Sequence, residues 1–278
     1  MTQLPARGAR VRELPLALPP QPIPMWRRAR LLKRWRYVGY YSEEVMLCVG
    51  DARVGPLPQR WWAIAEPGGT IRQKSSLGSA GLRMRGSRVG VLFEDVEVGL
   101  ELEESAGVEV VTPVGDRGNY IWTRKQGDAR VRGSIVVADR EYRVDGVAFV
   151  DESAGYYPRH TVWNWSAGVG TTESGAQVAW NLVTGVHDSE RDSERTLWLD
   201  GEPRELGAVR FADDLSSVEF AEGGALTFTE WSTREERMNL LLLRSSYRQP
   251  FGEFRGELPD GVRLTKGYGV MEEHDVLW

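Results

Sequence analysis

The chain has 278 residues, a hydrophobic fraction of 41% and a formal net charge of −5. These values allow a sizeable core in one large or two ordinary domains, and they exclude a generic electrostatic attraction to nucleic acid. Cys48 is the single cysteine, which excludes an intrachain disulfide; in the apolar run at residues 45–49 it reads as a small buried residue. No stretch approaches the length of a membrane span, and the N-terminus lacks an apolar segment of signal-peptide length. The expectation is a soluble cytoplasmic protein without stable membrane insertion, its oligomeric state not legible. Basic residues are nearly all arginine. Lysine stands only at Lys33, Lys74, Lys125 and Lys266, a bias that reads as coding rather than mechanism.

Residues 1–25 are Pro-rich and predict an extended arm packed on the surface, with no helix and no central strand. A basic-aromatic run at 26–36 follows, predicted to be a solvated or lobe-bridging segment anchored by its aromatics. From Tyr37 onward short apolar runs alternate with turn signals. The runs include 89–93, 108–111, 131–137 and 226–229, and the turns include Gly68-Gly69, Asp200-Gly201, Gly223-Gly224 and Asp260-Gly261. This punctuation predicts an all-β chain of sandwich or barrel type. Residues 233–248 alone have a helical composition, but the contiguous leucines at 240–243 fit a buried strand equally well. Glycine-rich turns and Trp-containing segments recur on both sides of Val150 with no strict short period. The pattern predicts two similar β lobes, 26–150 and 151–278, meeting at a cleft.

Candidate chemistry concentrates at residues 151–170, DESAGYYPRHTVWNWSAGVG. Asp151 and Glu152 are adjacent, so on a strand they point to opposite faces; either serves as a general acid if an apolar pocket raises its pKa, or as a turn acid. Tyr157 and Asn164 are candidate ligand contacts, although Asn164 also begins a chance glycosylation sequon. His160 is a general base, a positioning group or a structural histidine. Trp163 and Trp165 share one face and predict a core or pocket wall. The C-terminal run 267–278 adds Glu272 and His274 on one strand face. The histidine spacing predicts no metal site. Residues 168–175 are glycine-rich but form neither a P-loop nor a dinucleotide fingerprint, and no Gly-x-Ser-x-Gly nucleophile motif is present.

Six stretches carry a family resemblance: PMWRRARLLKRWRYVG (24–39), MLCVGDARVGP (46–56), GYYPRHTVWNWSAG (155–168), WLDG (198–201), QPFGEFRG (249–256) and GVMEEH (269–274). Together they resemble the bacterial domain-of-unknown-function family 2804. More distantly the chain resembles the two-lobed lipocalin-like superfamily of carotenoid hydratases, tocopherol cyclases and some Diels-Alder cyclases. That resemblance implies two lipocalin-like antiparallel β-barrel or sandwich lobes and a cleft for an apolar small-molecule ligand. The leading expectation is a cofactor-independent enzyme catalysing hydration, cyclisation or isomerisation. Its acid is Asp151, Glu152 or Glu272, its cation is stabilised by indole faces, and His160 or His274 takes up the final proton. The alternatives are a lipocalin-like binding protein without catalysis and a carbohydrate-active β-sandwich. If the first and last strands of the second lobe pair, 151–165 comes beside 267–278, and His160 shares a cavity with Trp163 and a carboxylate, its tautomer fixed by Glu272 or Asp275.

Overall fold

The computed structural model describes residues 4–240 and 243–278. It is nearly all-β; the helical elements among the described residues are two short 3-10 turns, Gly8–Glu13 and Pro259–Gly261. Two antiparallel sheets of the same topology follow each other along the chain. In the first, Lys33–Tyr41, Met46–Val54, Leu57–Glu66 and Thr70–Ser76 form a meander. The chain then crosses to Leu82–Arg85 and returns through Arg88–Phe93, Val96–Glu103 and Asn119–Val137 to Arg140–Gly155, which pairs with Lys33–Tyr41. The second sheet repeats this scheme. His160–Thr172, Gln177–Thr184, Thr196–Leu199 and Glu202–Glu205 form the meander, and Val209–Phe211, Ser217–Phe220, Ala225–Leu240, Leu243–Leu258 and Val262–Leu277 return, the last pairing with His160–Thr172. The weak duplication in the sequence is therefore a duplication of topology.

The boundary expected after Val150 falls inside the strand Arg140–Gly155, whose ladder with Asn119–Val137 runs on to Gly155. Residues 148–155 pair with Asn119–Val137 on one side and with Lys33–Tyr41 on the other, both of the first sheet, so the chain changes sheets at 156–159, and Asp151 and Glu152 belong to the first. The N-terminal arm also differs from expectation. Between Pro5 and Pro15 no proline interrupts residues 8–13, and these form a 3-10 turn with Val11 fully buried. Ala6–Arg7 pairs with Val108–Val114, and the Arg7 guanidinium donates to Thr196 Oγ1 at 2.9 Å in the other lobe. The 233–248 segment is strand on both sides of a hairpin; the part of the expectation that concerns residues 241–242 lies outside the described residues.

Each sheet curls around its own core. Val38, Leu47, Val49, Trp62 and Val131 fill the first, and Trp180, Leu182, Leu226, Phe254 and Met271 the second. The opposite faces pack on each other through Tyr37, Tyr41, Phe149, Trp165, Trp198 and Phe251. Phe149 sits edge-on to both Trp165 and Trp198, centroids 5.8 and 6.1 Å away. Trp198 fits because Gly127, in the bulge between Gln126 and Ala129, presents no side chain: a Cβ there would lie 2.6 Å from the ring. Gly127→Ala is expected to lower unfolding free energy by ~1–3 kcal/mol through overpacking. Adding Trp198→Phe should recover part of that loss. Urea denaturation of the single and double variants measures both.

Candidate functional site

Strand alternation decides what reaches the layer between the sheets. On Lys33–Tyr41 the residues facing the second sheet are Lys33, Trp35, Tyr37 and Tyr41; on Arg140–Gly155 they are Phe149, Asp151 and Ser153. On His160–Thr172 they are Trp163, Trp165 and Ala167, and on Val262–Leu277 they are Val270, Glu272 and His274. Toward one end of this layer the apolar packing gives way to a cavity of about 140 Å³, large enough for several waters or one small organic molecule. Its wall combines Trp35, Tyr37, Trp61, Trp163, Trp165, Tyr247 and Trp278 with Lys33, Lys125, Asp151, Glu194, Glu272, Tyr157, His187 and His274.

The two lobes contribute to it in parallel fashion. Asp151 lies opposite Tyr37 across the closing strand pair of the first lobe, as Glu272 lies opposite Trp165 in the second. In each case the indole two residues before that aromatic partner donates to the carboxylate: Trp35 Nε1 to Asp151 Oδ2 at 3.2 Å, and Trp163 Nε1 to Glu272 Oε1 at 2.8 Å. The same position on two similar sheets thus places two buried carboxyl groups on one cavity.

Their surroundings then diverge. Lys125 Nζ lies 2.6 Å from Asp151 Oδ1 and 3.3 Å from Glu194 Oε1, and Glu194 Oε2 is buried with no partner among the described residues. Burial pulls the Lys125 ammonium down, but its two carboxylates outweigh that and hold its pKa above the ordinary value. Burial raises the Asp151 pKa; Lys125 opposes the shift and Glu194 adds to it. Glu272 meets only neutral donors. Besides Trp163, Tyr247 Oη donates to its Oε2 at 2.7 Å and Gln249 Nε2 at 3.0 Å. Burial pushes its pKa up, the Tyr247 and Trp163 hydrogen bonds oppose this, the nearby charge of Asp151 adds to the rise, and the charge of Arg234 opposes it without outweighing burial. The Arg234 guanidinium, itself buried, stacks over the Tyr247 ring at 4.7 Å.

Two histidines border the cavity as neutral imidazoles. His274, 4.3 Å from Trp163 by ring centroids and hydrogen-bonded to Ser245 Oγ at 2.8 Å, is lowered to about 3 by burial and by Arg234. His187 is lowered to about 3 by burial and by Lys125. It links Thr112 Oγ1 at 2.9 Å to Tyr157 Oη at 3.3 Å, and Tyr157 continues to Ser153 Oγ at 2.7 Å.

Of the residues singled out in the sequence, Asp151, Tyr157, Trp163, Trp165, Glu272 and His274 meet at the cavity. Three do not. His160 occupies the opposite strand face, where its Nε2 lies 2.7 Å from Asp275 Oδ1 with both side chains more than half exposed. The expectation that it shares the cavity is corrected, because it sits an odd number of residues from Trp163. Asn164 faces away from Trp163 and Trp165 for the same reason. Glu152 points to the opposite face from Asp151, where Arg36 and Arg124 each donate to it at 2.7 Å. Sequence reasoning missed Lys33, Lys125, His187, Glu194 and Tyr247. No local signal marks them: the scarcity of lysine reads as coding bias, and that Lys33 and Lys125 are the two buried lysines is decided by the tertiary structure. Among the described residues no group of three or more His, Cys, Asp or Glu side chains is arranged to hold a metal ion, and no helix is long and apolar enough to cross a membrane.

No curated protein matches the chain significantly. Solved structures do. A protein provisionally assigned as AttH from Nitrosomonas europaea is 15% identical, with 94% of this chain and 98% of that chain covered, at a TM-score of 0.51. Kievitone hydratase from Nectria haematococca is 12% identical, with 88% of each chain covered, at a TM-score of 0.50. At such identities the likeness establishes the fold, two lipocalin-like lobes. A family model described as a domain of unknown function, DUF2804, matches residues 73–278; the resembling stretches at 24–39 and 46–56 lie ahead of that match. With most of its length matched by this model, the chain belongs to the DUF2804 family.

Proposed function

We propose that this protein is an acid-base enzyme that hydrates, cyclises or isomerises an apolar small molecule in the cavity between its lobes, without a cofactor. The observation that carries the reading is Glu272: a buried carboxyl group with a raised pKa, held by neutral donors only, beside an indole wall and across from Asp151. A carboxyl group kept neutral near working pH is what protonation of an alkene requires. Its proton forms a C–H bond with the alkene π electrons, leaving a carbocation. The faces of Trp163 and Trp165 and the charge of Asp151 stabilise that cation. Water addition with loss of its proton completes hydration; attack by a second π bond forms a C–C bond and a new cation, and loss of a proton next to that cation completes cyclisation; loss of a proton neighbouring the first cation completes isomerisation. In each case the released proton returns to the Glu272 carboxylate. The Tyr247 hydroxyl both donates and accepts, so it follows Glu272 between its two states. His274 and His187 are too weakly basic to take up that proton at neutral pH. The hydratase among the structural neighbours supports this reading by analogy of fold alone.

A second reading, a lipocalin-like binding protein without catalysis, is favoured by the hydrogen bonds that already satisfy both Glu272 oxygens. A carbohydrate-active reading gains less, because the aromatic side chains are buried or half-buried between sheets and not displayed on an open groove.

Incubation with a panel of isoprenoid and polyketide-like alkenes in heavy water is expected to yield deuterium at a former alkene carbon. Glu272→Gln should slow that incorporation by roughly 10²-fold or more, the usual worth of a general acid. Ligand binding with no incorporation in the parent protein would leave the binding reading in its place. Stability provides a separate test. The folded-state pKa of Glu272 lies above the ordinary carboxyl value, so its neutral form contributes stability that is fully present below that value and lost as pH rises through the folded pKa. Glutamine keeps the neutral form at every pH. The urea midpoint of Glu272→Gln relative to the parent should therefore rise as pH increases from the ordinary carboxyl value through the raised folded pKa, whereas a pH-independent difference would refute the raised pKa.

A further inference from the structure

Lys33 is used neither in the proposed chemistry nor in any ion pair. It is 4% exposed and lines the cavity, on the same strand face as Trp35 and Tyr37. Its Nζ lies 4.9 Å from the centre of the Trp278 ring. Among the described residues no carboxylate reaches it and it donates no hydrogen bond. The charged groups that act on it most are Arg30 and Arg159, of its own sign. Lys125, the other buried lysine, has two carboxylates within 3.3 Å. A buried ammonium with no counter-charge is costly. The indole face opposite it offsets only part of that cost.

Resting on the cavity as the ligand site, we infer that Lys33 supplies the counter-charge for a carboxylate, and that the cavity takes an apolar monocarboxylic acid. One ammonium matches one negative charge; a phosphate dianion would call for further enclosed donors, whereas Lys125 is already neutralised by two carboxylates, Arg34 and Arg53 line the cavity from exposed positions, and the neighbouring Arg30 already spends a guanidinium N–H on the Tyr157 carbonyl at 2.7 Å. The strand register fixes the polarity of such a ligand. Lys33 pairs with Gly155, and Asp151 pairs with Tyr37, a separation of about 13 Å of strand. The carboxylate therefore lies at the Lys33–Trp278 end, and the apolar body runs along the indoles toward Asp151 and Glu272. Burial and the two arginines lower Lys33 to about 8, which leaves it charged at neutral pH. An incoming carboxylate would hold it in that form.

The test is a tryptophan-fluorescence titration of the full chain with octanoate and with 1-octanol, on the parent, Lys33→Met and Lys33→Arg. Octanoate is expected to bind the parent more tightly than 1-octanol. Lys33→Met should weaken octanoate by roughly tenfold to a hundredfold, the worth of one charge-assisted hydrogen bond, with 1-octanol little changed. Lys33→Arg should retain the preference for the acid. Because Lys33→Met removes an uncompensated buried charge, its melting temperature should rise. Equal affinity for acid and alcohol in the parent, or octanoate binding indifferent to Lys33→Met, would overturn the inference while leaving an apolar ligand site intact. A parent that binds neither compound would overturn both. A Lys33→Met variant that melts earlier and binds octanoate as the parent does would assign Lys33 a structural role instead.

Discussion

Two curled sheets, each with a core of its own, still have a second face to bury, and they bury it on each other. The contact is aromatic: Phe149 of the first lobe stands edge-on between Trp165 and Trp198 of the second, and Tyr37 meets Trp165 at 5.5 Å. Rings of this size interlock only where the facing backbone makes room, as Gly127 does under Trp198. The cavity is the place where this layer stops being apolar. Beside and beyond Tyr37 and Trp165 the inward-facing strand positions carry Lys125, Asp151, Glu272 and His274, and Glu194 reaches the same cavity from the segment just before Thr196–Leu199. The site is therefore as rigid as the interlobe packing that surrounds it.

The electrostatic design follows from pseudo-symmetry that has diverged. Each lobe closes by pairing its first strand with its last, and those two closing pairs face each other across the layer. Equivalent positions hold Asp151 and Glu272, each touched by an indole N–H. Lys125 and Glu194 surround the first, neutral donors the second. One carboxyl is thereby tied to a fixed charge and the other is free to carry a proton. Two like groups with environments that push their behaviour apart are the usual basis for dividing acid and base roles.

The buried arginine and lysine positions divide in the same way. Arg234 donates to Ser75 Oγ at 3.0 Å and to Glu236 at 2.5 Å, and it stacks on Tyr247. Those contacts tie the Ala225–Leu240 strand to the first lobe and steady the tyrosine that holds Glu272. Lys125 is neutralised in place. Arg195, also buried, has no close carboxylate among the described residues but donates to the Leu206 and Ser189 carbonyls. Lys33 has neither a counter-charge nor a hydrogen-bond acceptor among the described residues, and that is why it points outward from structure to ligand.

Much of the fold was written in local pattern. Gly-rich turn pairs and short alternating runs specify hairpins through backbone sterics and side-chain period, and residue parity alone separated Asp151 from Glu152 and put Trp163 with Trp165. The same parity places His160 on the face away from Trp163: pairing of the first and last strands brings whole segments side by side, but only one face of each reaches the cavity. What the sequence could not decide was which inward faces would lie across from one another. Lys125, Glu194 and Lys33 are 69 to 161 positions apart in the chain, and nothing local marks any of them as a site residue. Their meeting depends on the stacking of one sheet on the other, and so does the burial that sets their charge. Periodicity fixes the side of a strand a residue occupies; only the packing of two sheets decides what that side will face.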